Sequence, residues 1–396
     1  MRDFLITGED QRFRGEVAGL LAEVLGPSAS KIEDHQDWEA VKKAVRAVAR
    51  KGYLSLLFPG LYPGKLTHPG LTHAAIFSEE SSFINYAFES TIASSLSCAY
   101  ALHRFGSDRL RETFLPPLVS GEAIGSICIT EEQVGSDVSG MQTRIIPDDD
   151  LEALKITGFK RYISNASVAD TYLVYGIDDP ELPPHRGMGA VLVPGGADGV
   201  EFPRLYTFMG RKGCVVGEVE FSGCRVPAWH RIGSVGKGFS ILVSMFNFER
   251  ILLAASALGL ARKAFDMARD HAQERVSFGQ KLGCKQLIWN QISEMSWRLD
   301  ASELLTYRAA KMYDSGIHGK SLMKEAAMAK LVATETANLC ADRTVQILGG
   351  DGITKEYGPA EQLYRDARAL TIVGGTSEMV RYLIAAVDMP HLKPNL

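Results

Sequence analysis

Residues 241–276 read ILVSMFNFERILLAASALGLARKAFDMARDHAQERV. Apolar residues recur there at three- and four-residue spacing over a length that suits a helix and no ordinary strand. An acidic residue stands inside the apolar start. Glu249 has Met245, Phe246, Leu252 and Leu253 as its helical neighbours three and four residues away, all of them apolar. A carboxylate in that setting is partly desolvated, with a raised pKa and a stronger basicity, which is how a general base is tuned. The structural alternative is a Glu249 that pairs with an arginine such as Arg250, or that caps the helix near its start.

The helical texture continues outward toward the C-terminus. LIWNQISEMSWRLDASELLTYRAAKMY and SLMKEAAMAKLVATETANLCADRTVQIL keep the same spacing, a last helix starts at Ser377, and several of these segments are long enough for a four-helix bundle. Upstream, from about Ile124 to Ser234, the runs IGSICIT, ALKITGF, TYLVYGI, GAVLVPG and GEVEFSGCRVP alternate or are briefly apolar between Gly, Pro, Asp and Asn clusters. They predict a small β domain, a barrel or sandwich. Before that, from Glu9 to about Ser120, the pattern is helical again. EVAGLLAEVLG and WEAVKKAVRAVARKGY have Gly26 and Gly52 as candidate stops, FPGLYPGKLTHPG is a turn-rich break, and the stretch through SFINYAFESTIASSLSCAYALHRFG reads as a core helix. The expected division is an all-helical domain over 1–123, a β domain over 124–235 and a helical bundle over 236–396, an α+β multidomain chain.

At 396 residues the chain is too long for one compact core. Its 43 Lys and Arg are scattered along the chain and are outnumbered by 47 Asp and Glu, which gives no electrostatic case for nucleic acid or anionic membrane. The N-terminus lacks an uninterrupted apolar core, and no run approaches ~18 consecutive apolar residues, so neither a signal peptide nor membrane insertion is expected. The expected location is cytoplasmic. Six dispersed cysteines without a C-x-x-C pair read as small buried hydrophobes. His68 and His73 are separated by Pro69 and Gly70, which rules out a helical metal pair, and no metal site is expected.

Four motifs, in order over nearly the whole chain, resemble those of the acyl-CoA dehydrogenases. They are ICITEEQVGSDVSG (residues 127–140), KRYISNASVAD (160–170), ERVSFGQKLGCKQ (274–286) and QILGGDGITKEYGPAEQLYRDARALTIVGGTSEM (346–379). The resemblance implies the fold of that family, with helices, a middle β domain and a helical bundle, and FAD as the cofactor. It places Thr130 and the Ile129 backbone at the flavin ring edge, Gly135 and Ser136 at the pyrophosphate, Tyr162 against the flavin and Ser164 in contact with it. Arg275, Phe278, Gln286, Gln346 and Gly350 match positions that clamp the adenine and pyrophosphate end from a neighbouring subunit, which implies a homodimer or homotetramer. Thr376 and Glu378 match late positions that close over the flavin in the same subunit.

In many members a glutamate stands directly before the Gly-Thr pair of the last motif; here the position is Gly374. Long-chain and isovaleryl-type members instead carry the base in a Glu-Arg dipeptide on a bundle helix and leave a small residue before Gly-Thr. Glu249-Arg250 and Gly374-Gly375 match that second arrangement. The resemblance therefore implies α,β-dehydrogenation of an acyl thioester, with Glu249 taking the α-proton, the flavin N5 taking the β-hydride, and the Gly374 N–H holding the thioester oxygen. Arg250 is assigned to substrate binding. An acyl-CoA substrate and an electron-transferring flavoprotein as acceptor follow. Glu132 replaces a usual proline and Cys214-Val215 a usual hydroxyl pair, which keeps open a biosynthetic dehydrogenase of an acyl group on an acyl carrier protein. An oxygen-using oxidase or monooxygenase and a non-catalytic flavoprotein are the remaining readings.

Overall fold

The structure, a computed structural model, describes residues 6–35, 37–58, 60–148 and 152–392. Among the described residues six helices come first: α1 (Gly8–Leu25), α2 (Ala29–His35), α3 (Trp38–Arg50), α4 (Leu71–Ile84), α5 (Tyr86–Phe105) and α6 (Asp108–Ser120). Local chemistry sets their ends. Thr7 and Asp10 form a reciprocal capping box on α1, and Ser107 accepts from the Leu110 N–H at the start of α6. Gly52, at φ 77°, ends α3 as expected, whereas Gly26 keeps right-handed helical angles and leads through a 3-10 turn into α2. Pro27 explains the difference, because a proline is tolerated in the first turn of a new helix. The single core helix read through residue 105 is two helices. Asn85 breaks it in extended backbone and caps α5 by accepting from the Phe88 N–H at 2.8 Å.

Nine strands follow among the described residues, seven of them in one sheet: β1 (Gly125–Cys128), β2 (Arg144–Pro147), β3 (Ala153–Ser164), β4 (Thr171–Ile177), β5 (Met188–Pro194), β6 (Val200–Glu201) and β7 (Val216–Pro227), with the short helix α7 (Pro184–Gly187) before β5. Antiparallel pairing joins β3 to β2 and β7, β4 to β5, and β6 to β7. On its other edge β4 pairs in parallel with β1 along its first residues and with β2 at Ile177, so two short strands share one edge in series. The five β-prone runs of the sequence correspond to β1, β3, β4, β5 and β7.

The C-terminal part holds α8 (Gly238–Glu274), a hairpin of β8 (Val276–Ser277) and β9 (Gln280–Lys281), α9 (Gln286–Asp314), α10 (Gly319–Leu348), α11 (Ala360–Leu370) and α12 (Ser377–Asp388). The three long helices and the last one match the sequence reading; α11 is an addition. It buries Ala360, Leu363, Ala367 and Leu370 at three- and four-residue spacing, a face that eleven residues make easy to overlook beside helices of about thirty.

Two cores hold this together. One is confined to the sheet, around Cys128, Ile145, Ile156, Val174, Val193 and Phe221. The other runs without a break from the N-terminal helices into the bundle, with α8 at its centre. Helix α8 is long and apolar enough to cross a membrane by length and composition, yet most of its apolar stretch is buried inside the protein, as in a core helix. Gly259 lets it approach α4, since a Cβ there would stand 2.8 Å from the Phe83 N. The joint is also polar. Asp314, the last residue of α9, accepts from the Leu71 and Thr72 N–H groups at 2.7 and 2.9 Å and so caps α4 from 240 residues away.

Candidate active site

The first half of α8 carries Glu249 and Arg250 into the space beside the loop between α11 and α12. Glu249 is partly buried as a residue, and its Oε2 is buried with no hydrogen-bond partner. Desolvation pushes its pKa up to about 7, and the Arg250 and Lys330 cations offset only part of that shift. Arg250 is buried and donates its Nε to the Gly374 carbonyl at 3.1 Å. Lys330 of α10, fully buried, donates its Nζ to the Gly375 carbonyl at 2.8 Å. Two cations thus fasten consecutive carbonyls of one turn. With the carbonyls so held, the turn leaves the Gly374 N–H without an acceptor among the described residues.

The glycines are required by shape. Gly374 and Gly375 take φ of 66° and 96°, backbone that favours glycine, and a Cβ on Gly374 would overlap the Leu253 side chain. Leu253 lies four residues beyond Glu249 on α8, so the helix that carries the carboxylate also occupies the space a side chain at 374 would need. From the sheet, Tyr175 of β4 donates its hydroxyl to Met245 Sδ at 3.7 Å and feels the charge of Glu249.

A second group of sequence-selected residues lies on the sheet. The Thr130 carbonyl accepts from the Arg161 N–H at 2.8 Å, which sets Thr130 beside Tyr162. Between Lys160 and Ile163 the β3–β7 register slips, and Tyr162 takes φ 57° at this bulge, uncommon for a bulky residue. The kink turns Tyr162 outward, 51% exposed, beside Tyr206 at a ring distance of 5.0 Å. Ser164 ends β3, half-buried, and its carbonyl accepts from the Ser126 hydroxyl at 2.7 Å. Behind them the buried Lys160 donates to Glu131 Oε1 at 2.8 Å and to the Ile129 carbonyl at 3.1 Å, which anchors the Ile129-Thr130 backbone. Gly135 and Ser136 are exposed, and no atom stands within 4 Å of where a Gly135 Cβ would be.

The remaining predicted residues sit apart. Arg275 closes α8 through its N–H to the His271 carbonyl at 2.9 Å, and Phe278 tips the β8–β9 hairpin at φ 55°, 96% exposed. Gln286 opens α9, while Gln346 and Gly350 lie at the far end of α10; all three are exposed. Thr376 caps α12 by accepting from the Met379 N–H at 3.3 Å, and Glu378 is exposed in the first turn, its carboxyl held down by its own N–H and the Thr376 hydroxyl. The altered positions are ordinary in their settings. Cys214 is buried against Asn165, and Glu132 is exposed and paired with Arg161 at 3.4 Å. Of the six cysteines, five are buried and Cys284 is exposed.

Sequence reasoning missed Lys330, although a signal was present: its helical neighbours Ala326, Ala327, Ala333 and Thr334 form a face with no reason to hold a lysine unless something buried needs one.

Comparison with known proteins agrees with this geometry. Family models described as the acyl-CoA dehydrogenase N-terminal, middle and C-terminal domains match residues 7–122, 126–224 and 236–388. The chain is 32% identical to the probable acyl-CoA dehydrogenase YngJ of Bacillus subtilis over 97% of this chain and 98% of that one. It is 34% identical to the caffeyl-CoA reductase-Etf complex subunit CarC of Acetobacterium woodii over 71% of this chain and 73% of that one. The solved butyryl-CoA dehydrogenase of Megasphaera elsdenii superposes with a TM-score of 0.91 at 29% identity, covering 98% of this chain and 100% of that one. The chain belongs to the acyl-CoA dehydrogenase family, whose members are FAD-dependent oxidoreductases acting on CH–CH bonds. Its residues fit that cofactor: an outward-facing aromatic and an anchored Thr130 backbone suit a flat ring edge, and an open glycine turn beside Ser136 suits a phosphate.

Proposed function

We propose that the chain dehydrogenates an acyl-CoA to its 2-enoyl thioester, with Glu249 as the base. The observation that carries this reading is the buried, unpartnered Glu249 Oε2 beside a turn whose Gly374 N–H has no acceptor among the described residues either. A thioester bound between them would offer its carbonyl oxygen to the Gly374 N–H, which stabilises the charge that develops there as the α-proton leaves. The proton goes to the Glu249 carboxylate, and a pKa of about 7 makes that carboxylate a stronger base than an exposed glutamate. Bound FAD supplies the acceptor for the hydride that leaves the β-carbon. Arg250 acts through the turn, holding Gly374 by its carbonyl; Lys330 does the same for Gly375.

Ile129, Thr130, Tyr162 and Ser164 would form the ring side of the FAD site, Gly135 and Ser136 its phosphate side, and Thr376 and Glu378 its cover. Arg275, Phe278, Gln286, Gln346 and Gly350 would serve the FAD of a second copy in a homodimer or homotetramer. Their exposure supports this, as do the large apolar neighbours Leu287, Trp289, Ile353 and Tyr357, all more than 65% exposed in the single chain. An electron-transferring flavoprotein is the acceptor that fits, since one relative bears the name of an Etf complex subunit.

The test is anaerobic bleaching of the bound flavin by short, branched and long acyl-CoAs with wild type and Glu249→Gln in parallel. Reduction by wild type alone is expected. Equal reduction by the variant would remove Glu249 from the mechanism.

A further inference from the structure

Glu249 has a companion. Glu89, in the first turn of α5, is 2% exposed; its Oε1 accepts from the Ser78 hydroxyl at 3.1 Å, and its Oε2 is buried with no partner. Ser256 of α8, seven residues beyond Glu249 and so two turns along the same side of that helix, lies beside Glu89 and lowers its pKa, but its hydroxyl donates to the Leu252 carbonyl at 2.9 Å. Two further groups near Glu89 are also unpaired. The Tyr86 hydroxyl is buried without a partner, and Arg211, 6% exposed, donates Nη1 to the Ser90 hydroxyl at 3.2 Å while its Nε has none. Glu89 interacts electrostatically with Arg211 and with Glu249, and Tyr86 with Arg211 and Glu89; since Arg211 also bonds Ser90, the next residue after Glu89, these side chains are close neighbours.

Buried polar atoms in native proteins are nearly all paired, because each one gives up its hydration for nothing otherwise. Three such atoms on neighbouring side chains, one of them within electrostatic reach of the carboxylate that would react, suit a ligand better than a core. A site for a plain alkyl chain needs an apolar end wall. A carboxylate, a guanidinium edge and a phenol, each with a buried unpaired atom, would make a poor wall for one.

We propose that Glu89, Arg211 and Tyr86 form the end of the acyl site and select an acyl thioester that carries a hydroxyl group beyond its β-carbon. The proposal rests on the dehydrogenase reading above. A hydroxyl donates to Glu89 Oε2 and accepts from Arg211 Nε or the Tyr86 hydroxyl, so it satisfies both kinds of group at once. A carboxylate would face Glu89 and Glu249, an ammonium would face Arg211, and a methyl would leave all three atoms unpaired. Glu89 is a specificity-determining residue in this arrangement and takes no part in proton removal.

The experiment uses the FAD-loaded enzyme and two thioesters of equal length, 5-hydroxypentanoyl and hexanoyl, each on CoA and on pantetheine so that the carrier does not matter. Anaerobic flavin bleaching should favour the hydroxylated thioester by about 10–100-fold in rate over half-saturation. Glu89→Leu should abolish or invert that ratio, and Glu89→Gln should retain most of it. Calorimetric binding of the unreactive thioethers S-(5-hydroxypentyl)-CoA and S-hexyl-CoA should show the same preference without any chemistry. Equal use of the two thioesters, a ratio untouched by Glu89→Leu, or a stronger preference for 5-aminopentanoyl would overturn the proposal and leave the dehydrogenase standing. No bleaching by any thioester would overturn both.

Discussion

Helix α8 carries two buried charge clusters thirteen residues apart, and they are built on opposite plans. At Arg262 every charge is answered. Arg262 Nη1 and Arg14 Nη1 lie 2.6 and 2.8 Å from Glu79 Oε1, Arg262 Nη2 lies 2.7 Å from Glu80 Oε2, and the Tyr307 hydroxyl donates to Glu79 Oε2 at 2.5 Å. Glu79 is deeply buried, yet its pKa is driven down to about 2 because two guanidinium groups outweigh its desolvation. At Glu249 the balance reverses. Desolvation outweighs the attraction of Arg250 and Lys330, whose nitrogens are spent on the carbonyls of Gly374 and Gly375, and the carboxyl rises to about 7. Burial is common to both, so burial does not separate a structural carboxylate from a reactive one. The number of donors aimed at it does.

The comparison breaks most sharply at Glu249. Glu249→Gln should slow flavin reduction by about 10²–10⁴-fold in stopped-flow bleaching, with the fold intact, because a general base is lost and no satisfied contact goes with it. Arg262→Ala should do the reverse, lowering stability by about 3–5 kcal/mol in denaturant titration, because Glu79 and Glu80 lose the cation they share with Arg14. A melting temperature within experimental error of wild type would refute the claim that this cluster holds α1, α4 and α8 together.

Next in size are two opposed pH effects. Glu79 sits below the usual 4.5, so its contribution to stability is full above that value and is lost as pH falls toward 2. Glu249 sits above it, so its contribution is full below 4.5 and is lost as pH rises through about 7, by roughly 3 kcal/mol. Glu249→Gln should therefore flatten the stability profile between pH 4.5 and 7 without altering its acid limb. The rate of flavin reduction should rise over that same interval, since the base works only when ionised. Gly374→Ala places a Cβ against Leu253 at positive φ, and a loss of about 1–3 kcal/mol in thermal unfolding is expected. The smallest effect is that of Lys330→Met. Removing this cation should move the kinetic pKa of Glu249 upward by less than about one unit, and a downward shift would contradict the electrostatics described here.

Much of this was legible in the chain itself, for a local reason. Helix periodicity, strand alternation and cap residues act over a few positions, so the helix, sheet, helix order and most element ends could be read, and so could Glu249, whose apolar neighbours lie within four residues. Errors arose where a local signal had two outcomes: Gly26 continues where Gly52 stops, and Asn85 splits an apolar run that periodicity alone joins.

The tertiary structure decided what depends on partners far away in sequence. Glu79 and Glu249 look alike in the chain, and only folding brings Arg14 and Arg262 to the first while committing the hydrogen bonds of Arg250 and Lys330, near the second, to the Gly374 and Gly375 carbonyls. That Gly374 must be a glycine follows from Leu253, 121 residues earlier, and the outward turn of Tyr162 follows from a register slip against β7. Glu89 gave no sign of itself in the sequence. Whether a buried carboxylate is paired depends on the donors that packing delivers to it, and no short stretch of chain specifies those.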